Sequence, residues 1–499
     1  MKTILFLSCL IYVILLVSQP VLKLWDLMVP ELSSIHRETA NAFQHRYLTE
    51  DARQRLENKT FQIGIVGSGI GGSGTAVFLK DLLGDFVNIT VFEQSDRIGG
   101  RTKAFLFDGF VEEDAVDVGA TSIIMENRYM RDLIRRYSFS FNPSYDTQTF
   151  VYDKSLNKVV FQDDVHPLRS LLSLLSHYFF DLLRVFYEIK LSMLRRFHRI
   201  YTLQASLFTF ESYEDLFAEV GLFDLTQQTF DAYMKPRLGS LYDHLAIPIL
   251  RVNYLQNGSV SAFVGGVSTS ALVSSFKTLK EGMSSIASEN LKAAQATVRL
   301  NTKVTSIKRH QVSFSVQKQH DVARFDKVVL AAPLFESNIH LSKPLTYNLP
   351  RLPYQTVHVT IVCGVFKSNN SIFPNLSTSP YPIELITTDA TTNEFSIVSI
   401  SLKKPSLSRP GEFIYKIFSF RPVDSVVLDD LFEFSRVWRH SWKAYPFLPP
   451  QTQKNHPIRL DSSTYYVNAL EQYISTMETE LIAAKNVALM LAKDLVDAS

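Results

Sequence analysis

The stretch from Phe61 to Arg101 constrains this chain more than any other. Ile63, Ile65 and Val66 lie in an apolar run that leads directly into Gly67-Ser68-Gly69-Ile70-Gly71-Gly72. A helix-like segment, Ser73–Leu83, comes next, then a turn at Gly84-Asp85 and a second strand, Ile89–Phe92, that ends on Glu93. Strand, glycine turn, helix and strand in this order form a dinucleotide-binding unit. Gly67 permits the tight turn, Gly69 lets the backbone approach a pyrophosphate, and Gly72 lets helix and strand pack closely. The N–H groups at the helix N-terminus attract the phosphates. Glu93, 21 residues beyond Gly72, stands where a carboxylate binds ribose hydroxyls. A lone glycine motif is a weak signal, and here the flanking strands and the acid supply its context.

The residues just after Glu93 bear on which dinucleotide is bound. Arg97-Ile98-Gly99-Gly100-Arg101-Thr102 resembles the second glycine motif of FAD-dependent oxidases of the amine-oxidase type. That resemblance implies that Gly100 and Arg101 serve the FAD diphosphate. Asp117-Val118-Gly119-Ala120 resembles the same class's stretch near the flavin ring. Val298–Ile307 reads as one strand, and the resemblance implies that it joins the dinucleotide sheet and that Val304 offers its backbone to adenine. FAD is the expected cofactor and NAD the alternative.

A chain of 499 residues, 46% of them hydrophobic, buries more than one core. Its 51 basic and 49 acidic residues give no electrostatic case for nucleic acid. At the N-terminus, Lys2 precedes the apolar run Ile4–Val17, the pattern of a secretory signal peptide and short for a membrane span. An uncleaved anchor is the alternative. The sequons at Asn58, Asn88, Asn257, Asn369 and Asn375 agree with export. With Cys9 in the signal, Cys363 stands alone in the apolar run Val359–Phe366 and reads as a buried core thiol.

Along the rest of the chain, Leu22–Lys59 is a polar extension, helical over Ser34–Arg46. Asn127–Tyr137 is expected as a helix, and Phe150–Tyr152 with Val159–Phe161 as a hairpin. Pro167–Leu207 reads as a pair of amphipathic core helices, or else as a lipid-facing or substrate-roofing element with Arg195, Arg196 and Arg199 near headgroups. Residues 336–450 are β-rich, and a helix over Ala469–Leu495 closes the chain.

Three segments resemble one family, the prenylcysteine oxidases or prenylcysteine lyases. They are Pro248–Gln256 with Ser261–Val267, Trp442–Pro446 with Pro449-Pro450, and Tyr465–Glu471 running on to Ala484–Ala488. The resemblance implies an α/β fold: a Rossmann-type, amine-oxidase-like FAD-binding domain with a discontinuous α+β substrate domain. The expected division is 1–19 signal peptide, 20–60 extension, 61–145 with 281–335 and 455–499 FAD-binding domain, and 146–280 with 336–454 prenylcysteine substrate domain. It also implies a glycosylated lysosomal or secreted enzyme that oxidises S-prenyl-L-cysteine, farnesyl or geranylgeranyl, with O2. The products are a prenyl aldehyde, cysteine and hydrogen peroxide. No catalytic side chain and no metal are expected, because the cofactor carries the hard step. Two positions depart from the family pattern: Ile124 stands where a His is expected, and Glu281-Gly282 where paired glycines are. They keep two alternatives open, an amine- or isoprenoid-oxidising flavoenzyme and a secreted FAD-binding paralogue without turnover.

Overall fold

Phe61–Val66 becomes the middle strand of a five-stranded parallel sheet ordered Thr464–Tyr466, Lys327–Leu330, Phe61–Val66, Val87–Phe92, Thr297–Arg299. The computed structural model describes residues 35–498 apart from 144, 146, 164–165, 318, 342–352, 375, 377–382, 389–395 and 452–456. The run Ile4–Val17 and the sequon at Asn375 lie outside the described residues.

A parallel sheet is covered on both faces, so its strands read as continuous apolar runs, and Ile63, Ile65, Val328 and Val329 are fully buried. The helix Ile70–Leu83 packs against the closing helix Met477–Asp497, whose residues are buried along most of its length. That helix begins at Met477 and not at Ala469. Thr476 and Thr479 exchange side-chain and backbone hydrogen bonds in a capping box, which fixes the start, while Val467–Gln472 is a short 3-10 turn. The polar extension is also less detached than its composition implies. The helix Ile35–Tyr47 lies on Ile70–Leu83, and Phe43 and Leu56 are fully buried in the same core.

The expected strand Val298–Ile307 is two strands. Thr297–Arg299 joins the parallel sheet, and Lys303–Lys308 joins a separate four-stranded sheet with Gln311–Val316. Between them Asn301 adopts φ +52, a left-handed turn that an extended reading misses.

A seven-stranded sheet runs in the order Phe432–Pro446, Tyr354–Phe366, Phe413–Ser419, Ile397–Pro405, Ile383–Thr387, Gln148–Asp153, Lys158–Gln162. Its pairs are antiparallel except that between Ile383–Thr387 and Gln148–Asp153. Cys363 is fully buried in it, and burial pushes its thiol up to about 11, which keeps it protonated and unreactive. The segment after Pro167 is helical and bent. The helix Pro167–Val185 is kinked at Tyr178, whose hydroxyl meets His244 Nδ1 at 2.9 Å, and continues as a π-helix over Phe186–Leu194. No helix among the described residues is long and apolar enough to cross a membrane.

Candidate functional site

At the end of the strand Phe61–Val66 the chain turns on Gly67, whose φ of +105° only glycine adopts without strain. A side chain there would also meet Ala331 O at 2.5 Å, because Ala331 closes the neighbouring strand. Gly72 is held as tightly: a Cβ would sit 2.0 Å from Gly67 O. Gly69 differs. It heads the helix, pairs with Gly99 as a parallel bridge, and a Cβ would make ordinary contacts with Gly100 Cα at 3.8 Å and Gly99 O at 3.9 Å. Gly99 N also donates to Ser68 O at 3.2 Å. The two glycine turns are thus stitched face to face, with bare backbone at the helix N-terminus, the form of cradle a diphosphate needs.

Glu93 closes the adjacent strand. Its carboxylate accepts from Ser68 N and Oγ at 3.1 and 2.8 Å, and from Ser95 N and Oγ at 2.9 and 2.8 Å. The Glu93 carbonyl accepts from Thr302 N at 2.8 Å. Two residues further on, Val304 is buried in Lys303–Lys308 opposite Phe314. The structure therefore brings Gly67, Gly69, Gly72, Glu93 and Gly100 together, with Val304 joined through the Thr302 turn.

Arg101 is placed in an unexpected way. Its guanidinium pairs with Glu471, donates to Ala444 O at 2.8 Å, and stands 3.9 Å from Glu480 Oε1. Glu471 also accepts from Tyr354 Oη at 2.9 Å, Ser475 Oγ at 3.0 Å and Asn468 Nδ2 at 3.2 Å. One cation thus faces two carboxyls. Burial first, then the Glu471 charge, pushes the Glu480 carboxyl up to about 8. A carboxyl raised on folding favours the folded state while it holds its proton. This stability is fully present below about 4.5, the ordinary glutamate value, and is lost as pH rises through about 8. Thermal melts should accordingly show the fold losing stability between pH 5 and pH 8.5, and Glu480→Gln should flatten that dependence. An unchanged slope in Glu480→Gln would assign the effect to other groups.

The same corner gathers the three family-like segments. Gln256 donates to Pro446 O at 3.0 Å and accepts from Leu448 N at 2.9 Å. Tyr254 donates to Ser475 O at 3.2 Å and packs on the Tyr445 ring, 5.3 Å between centroids. Segments some 200 residues apart in the chain therefore meet around Arg101. The prenylcysteine lyase family signature matches residues 161–499, which include all three. The chain belongs to the prenylcysteine lyase family.

The signature of an NAD(P)-binding Rossmann-like domain matches residues 65–137, from the glycine turn through the helix Arg128–Arg136. Relatives of this prenylcysteine lyase family member include the farnesylcysteine lyase of Arabidopsis thaliana, 29% identical, covering 86% of this chain and 87% of that protein. Prenylcysteine oxidase 1 of Rattus norvegicus is 29% identical over 86% of this chain and 88% of its own. Among solved structures, cyclohexylamine oxidase from Brevibacterium oxydans superimposes with a TM-score of 0.56 at 15% identity, covering 87% of this chain and 99% of that one. Putrescine oxidase gives 0.52 at 14% identity, covering 88% and 99%. These likenesses show an amine-oxidase-like fold.

The two departures from the family pattern lie at either end of the stretch that leads past Asp117, where a Cβ on Gly282 would meet the carboxylate at 3.3 Å. Ile124 lies in the short strand Ile123–Ile124 paired with Phe276–Lys277. Glu281 is exposed, and its carboxylate accepts from Ser140 N at 3.2 Å. Sequence reasoning missed the roles of Tyr354, Asn468 and Glu480. Glu471 was visible only as part of a family-like segment, because nothing in the sequence pairs it with Arg101.

Proposed function

We propose that this chain is an FAD-dependent oxidase of S-prenyl-L-cysteine. The observation that carries the reading is the convergence of the three family segments on Arg101, directly behind the glycine cradle. The cradle fits a dinucleotide diphosphate, Glu93 fits the ribose and the Val304 backbone fits the adenine, while Arg101 acts through Glu471 to hold the second glycine turn. We divide the chain accordingly into an FAD-binding domain, 61–145 with 281–335 and 455–499, and a substrate domain, 146–280 with 336–454.

Bound FAD supplies a two-electron acceptor that O2 returns to its oxidised form. The substrate carbon beside sulfur is allylic, so sulfur and the double bond both stabilise the positive charge that develops there. Water then adds at that carbon and the C–S bond breaks. One prenylcysteine, one O2 and one water give one prenyl aldehyde, one cysteine and one hydrogen peroxide. The protein's part is to orient that carbon and exclude competing water. Burying ten carbons of the tail contributes roughly 8 kcal/mol before ordering costs, so the tail dominates affinity and the cysteine end sets orientation.

Incubation with farnesylcysteine and O2 should yield farnesal and peroxide in equal amounts. Peroxide from amines but not from farnesylcysteine would favour the amine-oxidising reading. Tight binding without peroxide would favour a paralogue without turnover, with Ile124→His the first change to try.

We further place the enzyme in the secretory pathway, in the lysosome or secreted, with Asn257 and Asn369 exposed and open to glycan. The helical segment after Pro167 meets an anionic membrane surface there. Leu172, Phe180, Tyr187 and Leu191, each more than half exposed, are spread along this segment with the exposed Arg169, Arg184, Arg195 and Arg199. Glu219 pairs with Arg199 and Glu188 with Arg237, which leaves Arg169, Arg184 and Arg195 as the cations beside the exposed apolar side chains, a combination suited to a membrane interface. Vesicles rich in phosphatidylserine should bind the protein at low salt, and Phe180→Asp with Leu191→Asp should release it. Equal flotation of the double variant would remove this contact.

A further inference from the structure

Strand pairing in the seven-stranded sheet lines up a row of side chains on one face. Ser401 lies opposite Lys416, and one step beyond the Leu385–Ile400 pair Glu384 falls opposite Ser401. The row continues from Lys416 through Ile361 to Trp438. Directly paired residues project from the same face of a sheet. That face is the one covered by the stretch Asp117–Thr121. The Lys416 ammonium donates to Asp117 O at 3.1 Å and Thr121 Oγ1 at 2.6 Å, and Phe105 stacks on Trp438 at 4.0 Å. Lys403 is the extra residue where the ladder slips between Leu402 and Lys404, a bulge that re-aims a side chain. Its electrostatic partners are Glu384, Asp117 and Lys416, which puts it on the same face.

The row lies beside the cradle. Gly119 passes so close to the Arg101 backbone that a Cβ would meet Arg101 O at 1.9 Å. From the glycine turns the path therefore runs through Arg101 and Gly119 to Thr121 and on to Lys416.

Two properties separate this row from a structural ion pair. Among the described residues, neither the Glu384 carboxyl nor the Lys403 ammonium has a hydrogen-bond partner. Both keep part of their surface accessible, yet burial raises the pKa of Glu384 and lowers that of Lys403. Each lies within electrostatic reach of the other's opposite charge without a hydrogen bond to it, so both keep hydrogen-bonding capacity for a polar ligand. In addition, Lys403 lies near enough to Lys416 to oppose its charge, an effect that the Asp117 carboxylate, which acts on both lysines, offsets in part. Burial and the Lys403 charge lower the pKa of Lys416, so an anion between the two amino groups would favour their charged forms. Lys416 Nζ then has a donor to offer beyond its bonds to Asp117 O and Thr121 Oγ1.

We infer that this row binds the amino-acid end of the substrate, with the α-carboxylate between Lys403 and Lys416 and the α-ammonium on Glu384. The inference rests on the prenylcysteine reading and supplies what that reading lacks, the residues that orient the cysteine. The oxidised carbon is three bonds from the α-carbon, so anchoring both charges of the zwitterion fixes that carbon beside the Asp117–Thr121 stretch. The prenyl tail then points away from the sheet.

The test compares farnesylcysteine with its methyl ester, which lacks the carboxylate charge, and its N-acetyl derivative, which lacks the ammonium. KM and kcat are read by peroxide release, and Kd by calorimetry on the flavin-loaded protein. Wild type should prefer the free amino acid, because each blocked end loses a charge-assisted hydrogen bond worth roughly 10- to 100-fold. Lys403→Met should raise KM and Kd for farnesylcysteine by a similar factor and leave the ester nearly unchanged. Glu384→Gln should do the same with the N-acetyl form as the insensitive ligand. Unchanged flavin content and melting temperature in both variants separate these effects from misfolding. If all three ligands behave alike in wild type, or both variants weaken all three equally, the inference fails while the oxidase reading stands. If farnesylcysteine binds with this pattern but is not oxidised, the site is right and the oxidase reading fails. If no ligand binds, both are overturned.

Discussion

Gly69→Trp should yield a folded protein without flavin colour. The backbone at Gly69 tolerates a side chain, since its φ of −72° is ordinary and a Cβ would make only ordinary contacts, with Gly100 Cα at 3.8 Å and Gly99 O at 3.9 Å. The indole would instead fill the gap in front of the helix N-terminus, where the diphosphate must approach. Losing those charge-assisted contacts should cut flavin content by about 100-fold or more. Circular dichroism and the melting temperature of the flavin-free protein should be retained. Gly67→Ala is the contrast: at φ +105° and 2.5 Å from Ala331 O it should damage the fold itself. A Gly69→Trp protein that purifies yellow would falsify the assignment of this cradle to the cofactor.

Arg101→Met should cost about 3–5 kcal/mol in folding free energy, the penalty for leaving a buried charge without its partner. The charge is that of Glu471, whose side chain is 1% exposed and whose remaining partners, Tyr354, Ser475 and Asn468, are neutral. Denaturant unfolding of flavin-free protein reads this without interference from cofactor loss. Adding Glu471→Gln to Arg101→Met should recover at least half of the deficit, because it removes the orphaned charge. If Arg101→Met unfolds within about 1 kcal/mol of wild type, the pair is a solvent-screened contact of little energetic weight.

The glycine turn was legible in the sequence because each glycine there meets a local steric demand, and the flanking strands repeat a pattern a few residues long. The hairpin near Tyr152 and the helix from Arg128 were legible for the same reason. Val298–Ile307 misled because an alternating run says nothing about the left-handed turn at Asn301 that sends its halves into different sheets. The helix at Ala469 began too early because apolar periodicity outlasts the helix, and only the Thr476 cap fixes its start. The Arg101–Glu471 pair was beyond local reading, as its members are 370 residues apart. Lys416 did leave a trace, a lone ammonium in the apolar strand Phe413–Ser419, but its meaning depends on which strands flank it.

The order of strands in the parallel sheet has a consequence for biogenesis. The outermost strand, Thr464–Tyr466, and the helix Met477–Asp497 that backs Ile70–Leu83 come from the last part of the chain. A ribosome releases the glycine turn early, yet nearly 400 residues must emerge before its supporting wall exists. Such long-range closure folds slowly and exposes sheet edges meanwhile. The sheet around the glycine turn is therefore complete only once Thr464–Tyr466 and Met477–Asp497 have been made.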